Sequence, residues 1–71
     1  MSQARGERGR EKILAYLRSY AAEHAYPPSV REILRECGFT SSSSVAHHLQ
    51  VLEDRGDVVR WWGLARTVRA I

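Results

Sequence analysis

One cysteine, one methionine, one lysine and two prolines are all that 71 residues hold of these types. The lone thiol of Cys37 excludes an internal disulfide and points to a reducing compartment, so the cytoplasm is the expected location. No apolar run approaches the roughly 18 residues that cross a bilayer, and no apolar segment of the signal-peptide kind follows Met1. Neither membrane insertion nor secretion is expected. The length leaves no room for a second domain, since domains run from about 50 to 250 residues. A chain this short buries only about 60% of its unfolded surface, which argues against large enzyme architectures. No charged residue of either sign stands between Cys37 and Leu52, and no acid follows Asp57.

At 44% apolar and 27% charged residues, the composition is that of an ordinary soluble globular chain. The net charge of +3 is modest, and its distribution says more than its sum. Residues 1–22 set Arg5, Arg8, Arg10, Lys12 and Arg18 against Glu7 and Glu11. Residues 23–57 reverse the balance, with Arg31, Arg35 and Arg55 against Glu23, Glu32, Glu36, Glu53, Asp54 and Asp57. The remaining segment carries Arg60, Arg66 and Arg69 unopposed. Two basic ends therefore flank an acidic middle. Every cation except Lys12 is an arginine, whose planar fork suits phosphate oxygens and guanine edges. Charge alone ranks nucleic-acid binding level with a plain solvated surface.

From Arg10 to His24, the residues Ile13, Tyr16, Leu17, Tyr20 and Ala21 recur at spacings of three and four, which predicts an amphipathic first helix. Residues 1–9, which are Gly-rich and basic, are expected to form a flexible arm ahead of a domain spanning 10–71. Tyr26-Pro27-Pro28 breaks the helix. Ser29 and Glu32 have the spacing of a capping box and start a second helix, buried through Val30, Ile33, Leu34 and Cys37 and stopped at Gly38. Ser41 to Ser44 offer several caps for a third helix. Its inward stripe is Val45, His48, Leu49 and Leu52, its outward face Ser43, Ala46, His47 and Gln50, and its stop Gly56. Asp57 to Trp62 and Arg66 to Ile71 then read as two strands joined at Gly63-Leu64-Ala65.

Two short helices around a glycine-containing turn form a helix-turn-helix, and a preceding helix with a following hairpin makes it a winged helix. The fold class expected is mainly α with a small β-hairpin. The third helix is the candidate reader of a DNA major groove, because its outward face is small, polar and uncharged. Serine, histidine and glutamine would read base edges, while arginines on the flanks hold phosphates. The phosphate candidates are Arg5, Arg8 and Arg10 at the N-terminus, Arg31 on the second helix, and Arg60, Arg66 and Arg69 on the wing.

The chemical alternatives are weaker. Cys37, His47 and His48 fall short of the four ligands of a structural zinc site, and Cys37 reads better as a small buried hydrophobe. The serine run lacks a nucleophile-elbow context. His48, on the inward stripe, reads as a packed, hydrogen-bonded histidine. No catalysis, cofactor, metal or small-molecule substrate is expected. Trp61 and Trp62, adjacent in a strand, must point to opposite faces, so one is core and the other a candidate partner surface or backbone contact.

Tyr26-Pro27-Pro28-Ser29-Val30-Arg31-Glu32-Ile33, Gly38-Phe39-Thr40-Ser41-Ser42-Ser43-Ser44-Val45, His48-Leu49, Leu52-Glu53-Asp54-Arg55-Gly56 and Arg69-Ala70-Ile71 together resemble the N-terminal DNA-binding domain of LexA repressors. The similarity runs without a gap from about Ile13 to Ile71. The resemblance implies a repressor domain that binds palindromic operators of DNA-damage-response (SOS) genes as a dimer in the cytoplasm, on the nucleoid. It places base contacts on Ser41, Ser43, Ser44, Ala46 and His47, overlapping the outward face, to which Gln50 is added. LexA repressors continue into a self-cleaving, dimerising domain that this sequence does not contain. The chain is expected to be either an excised DNA-binding domain or a small free-standing relative. Two copies would meet on the duplex or through the exposed tryptophan of the Trp61, Trp62 pair. The competing expectation is a small phage or host winged helix that binds RNA polymerase or another regulator rather than DNA.

Overall fold

Ile13, Leu17 and Tyr20 lie on one side of a 3.6-residue repeat, and all three become buried when that side closes over the rest of the chain. The computed structural model describes residues 2–60 and 68–71, with side chains from residue 6 onward. The first helix, α1, runs Ser2–Glu23. It starts eight residues ahead of the Arg10 start expected from the apolar periodicity, so residues 2–9, expected as an arm, continue the helix. The reason lies in tertiary contact: Gly9 and Arg10 are half-buried against His48 of the third helix, and Glu7 reaches Arg55 just past its end. Ala21, expected on the inward stripe, is exposed.

The second helix, α2, spans Val30–Glu36 and begins as its sequence demands. The Glu32 amide donates to Ser29 Oγ at 3.2 Å, and the Ser29 amide donates to Glu32 Oε1 at 2.9 Å, a complete capping box. The third, α3, covers Ser42–Asp54, capped by Ser41, whose Oγ accepts from the Ser44 amide at 3.3 Å. Gly38 and Gly56, after α2 and α3, adopt φ of 77° and 81°. That left-handed conformation is reached without steric cost only by glycine, and it turns the chain out of each helix.

Two strands follow, β1 at Val58–Arg60 and β2 at Val68–Ala70. They are antiparallel, pairing Val58 with Ala70, Val59 with Arg69 and Arg60 with Val68. The expected hairpin turn at Gly63-Leu64-Ala65, together with Trp61, Trp62 and Arg66, lies outside the described residues. β2 packs on α1 and β1 on α3, while α2 packs on α3. Ile13, Leu17, Ile33, Val45, Leu49, Leu52, Val58 and Val68 form the shared core, with Cys37 buried among them as expected. Three helices and a two-stranded hairpin, mainly helical, make this a winged helix-turn-helix. Among the described residues, no helix is long and apolar enough to cross a membrane.

Candidate nucleic-acid interface

Each residue turns a helix by about 100°, so burying Val45, Leu49 and Leu52 of α3 forces Ser43, Ala46, His47 and Gln50 to the opposite side. All four are exposed. The face is neutral over about two turns and ends at Asp54, whose Oδ1 accepts from Gln50 Nε2 at 3.0 Å. Ser41 is exposed but acts as the helix cap, its Oγ also 3.3 Å from Ser44 Oγ. Ser44 is half-buried and stands beside the face rather than on it. The structure thus brings Ser43, Ala46, His47 and Gln50 together and puts Ser41 and Ser44 at the edge.

The arginines divide into two kinds. Arg8, Arg31 and Arg69 are exposed. Arg10 and Arg60 face inward, each side chain only 13% exposed. Arg10 Nη2 donates to Glu7 Oε1 at 2.9 Å, and Arg60 Nη1 lies 3.8 Å from Glu53 Oε1. Strand alternation explains Arg60: with Val58 buried and Val59 exposed, the next residue returns to the helical side. Two arginines expected on phosphates are therefore engaged within the protein. The Arg5 side chain and Arg66 lie outside the described residues.

Sequence reasoning did not single out Glu7 or Arg55. Glu7 Oε1 accepts from Arg10 and also from Arg55 Nη1 at 3.1 Å, tying the start of α1 to the end of α3. The hydrogen bond from Arg10, with the nearby charge of Arg55, holds the Glu7 carboxyl below its ordinary value against some burial. The signal for one half of this was present, an acid three residues before an arginine on a helix. The other half spans 48 residues of sequence and has no local signature.

His48 is the packed histidine expected. Its ring lies 5.3 Å from that of Phe39 and 5.8 Å from that of His47, and its Nδ1 is 3.4 Å from Arg10 Nη1. Burial, reinforced by Arg10 and His47, lowers its pKa and favours the neutral imidazole. Burial likewise raises the Cys37 thiol, with Lys12 opposing, so the thiolate is disfavoured. Among the described residues, no three His, Cys, Asp or Glu side chains are grouped to hold a metal ion.

Known proteins share this sequence pattern. The family described as the LexA DNA binding domain matches residues 6–67. The chain is 46% identical over 57 residues to LexA repressor 1 of Nocardia farcinica, covering 80% of this chain and 26% of that repressor. It is 52% identical over 46 residues to a LexA repressor of Parafrankia, covering 65% and 18%. For the LexA repressor of Carboxydothermus hydrogenoformans, the identity is 42% over 50 residues, covering 70% and 24%. The chain spans only about a fifth to a quarter of the length of these relatives. With 62 of its 71 residues inside the matched span, a winged helix to carry them and a neutral, exposed face on α3, the chain belongs to the LexA DNA-binding domain family.

Proposed function

We propose that this chain is the operator-reading domain of a LexA-like repressor, binding double-stranded DNA and blocking promoter access. The observation that carries it is the α3 face of Ser43, Ala46, His47 and Gln50, exposed and uncharged on a protein whose flanks are rich in arginine. A major groove about 12 Å wide admits a helix, and small polar side chains reach base edges there without repelling the duplex. Ser41 and Ser44 sit where the N-terminus of α3 would approach the bases, with the helix dipole favouring nearby phosphate. Arg8, Arg31 and Arg69, with Arg5 and Arg66, hold the backbone and set the register.

A single winged helix buries about 600 to 1,000 Å² on DNA, which favours two copies on half-sites one helical turn apart in a palindrome. The two copies associate on the duplex or through Trp61 or Trp62. The reading is non-catalytic and needs no cofactor, and its setting is the bacterial cytoplasm, at the nucleoid. Control of DNA-damage-response genes is the regulatory role that fits the family.

The test is selection of bound duplexes from a random pool, followed by anisotropy titrations on 20 bp duplexes at two salt concentrations. His47→Ala and Ser43→Ala are expected to change which half-site is preferred, each by about 1 to 3 kcal/mol at the base pair read. Feeble binding without sequence preference would refute the operator reading and favour a protein partner.

A further inference from the structure

His48 does not lie on the outward face of α3, yet it sits beside His47, which does, and it is held from behind. Arginine has only donors, so Arg10 Nη1, at 3.4 Å, offers a hydrogen to His48 Nδ1, while Nη2 of the same guanidinium donates to Glu7. Glu7 in turn binds Arg55, just past the end of α3, and Arg55 Nε reaches Asp57 at 3.3 Å. One carboxylate therefore links the middle of α3, at His48, to its C-terminal end, at Arg55, through two arginines. The approach is close because α1 presents Gly9 here: a Cβ on it would stand 3.1 Å from His48 Nε2 and 3.3 Å from Phe39 Cζ, while the bare Gly6, whose Cβ would stand 3.2 Å from Arg10 Nη1, leaves room for the guanidinium along α1. Residues of α1 away from the outward face, Gly9 and Arg10, are thus packed against His48, the neighbour of His47 on α3.

We propose that Arg10, bridging Glu7 and His48, is a positioning residue for base recognition: it fixes the seating of α3 on α1 and, through His48, the placement of His47. The inference rests on α3 being the reading helix. It assigns Arg10 a role in choosing sequence, without contact to DNA, and takes it out of the phosphate-binding set. The two roles differ in what they predict. A phosphate contact contributes equally on every sequence and adds about 0.9 to the slope of log affinity against log salt. A positioning residue changes discrimination between half-sites and leaves that slope alone.

The experiment uses the whole chain, with Arg10→Met and Arg10→Lys as variants. Lysine keeps the charge but lacks the planar fork that spans two acceptors. Discrimination is read as the affinity ratio between the selected duplex and duplexes altered at the base pair that depends on His47. Imidazole tautomers are read by long-range ¹H–¹⁵N NMR on the free protein. In the parent chain His48 is expected as the Nε2–H tautomer. In both variants that preference weakens, and discrimination falls about fivefold or more, the scale of one mismatched base pair. The salt slope and random-duplex affinity remain within about twofold of the parent.

Three results overturn the proposal. One is uniform weakening of all duplexes by Arg10→Met with a salt slope lower by about 0.9, the signature of a phosphate contact. Another is unchanged discrimination once the NMR shows that the His48 contact is lost. The third, no preference among half-sites in the parent chain, removes the operator reading itself and is seen before any variant is made. Should Arg10→Met fail to fold, Arg10→Lys decides on the same measurements.

Discussion

The two basic flanks of this domain are built alike. At the N-terminal flank, Arg8 is exposed while Arg10, two residues on, turns inward to Glu7. At the hairpin flank, Arg69 is exposed while Arg60 turns inward to Glu53. The geometry behind the split differs. Two residues on a helix stand about 200° apart, whereas Arg69 pairs with Val59 and so shares the face opposite Arg60. Among the described residues, each flank thus turns one of these two arginines to the protein's own acids and leaves the other exposed. A tally of cations therefore overstates the charge available to a polyanion.

Gly9→Val is expected to break this likeness most severely. Ordinarily a residue with a side chain is preferred to glycine inside a helix by up to about 1 kcal/mol. At Gly9 the first carbon already meets His48 and Phe39 inside 3.4 Å, and valine adds two more. Overpacking of this kind costs about 1 to 3 kcal/mol, and in a domain of this size each 1 kcal/mol lowers the melting midpoint by roughly 4 to 8 °C. A midpoint equal to the parent's would mean that α1 does not meet α3 at this point.

Arg60→Ala and Arg69→Ala sharpen the hairpin side. Loss of Arg69 is expected to weaken every duplex by a similar factor and lower the salt slope by about 0.9. Loss of Arg60 removes a partner of Glu53, costs stability of about 1 kcal/mol, and leaves the salt slope unchanged. Titrations at several salt concentrations, with melting curves alongside, separate the two. If both variants lower the salt slope equally, the inward and outward assignments on this strand pair are wrong.

What was legible in the chain follows the range of the interaction that decides it. The capping box of Ser29 and Glu32 and the left-handed glycines Gly38 and Gly56 are local chemistry, and each lies where expected. The outward face of α3 follows from periodicity once Val45, Leu49 and Leu52 are taken as buried. The start of α1 was not legible in the apolar pattern. Gly6 and Gly9 contribute no apolar side chain, and the fit of Gly9 depends on Phe39 and His48, some thirty to forty residues away. Arg60 differs: period-two alternation from Val58 already turned it inward, a placement that the density of positive charge did not reveal. Ser44 shows the same limit at a helix start, where one serine caps, its neighbours face out and another is half-buried.

The smallest expected effect separates the flanks by their response to acid. The N-terminal clasp ends on an imidazole, His48, faced by Arg10, His47, Phe39 and the backbone at Gly9, whereas the hairpin pair joins a guanidinium to a carboxylate. Burial holds His48 below its ordinary 6.5, so as pH falls through 6.5 the unfolded chain takes up a proton that the folded protein refuses. Linkage then makes stability greatest above pH 6.5 and lowers it progressively below, down to the folded value. A second loss of the same sign begins below about 4.5, where Glu7, held low chiefly by its bond from Arg10, gains a proton more readily in the unfolded chain. The melting midpoint is therefore expected to decline between pH 7.5 and 5.5 in the parent chain and to decline less in His48→Gln. In Arg60→Ala the slope across this interval should match the parent's, because that substitution leaves the clasp intact. Equal slopes in the parent and His48→Gln would show that the acid response arises elsewhere.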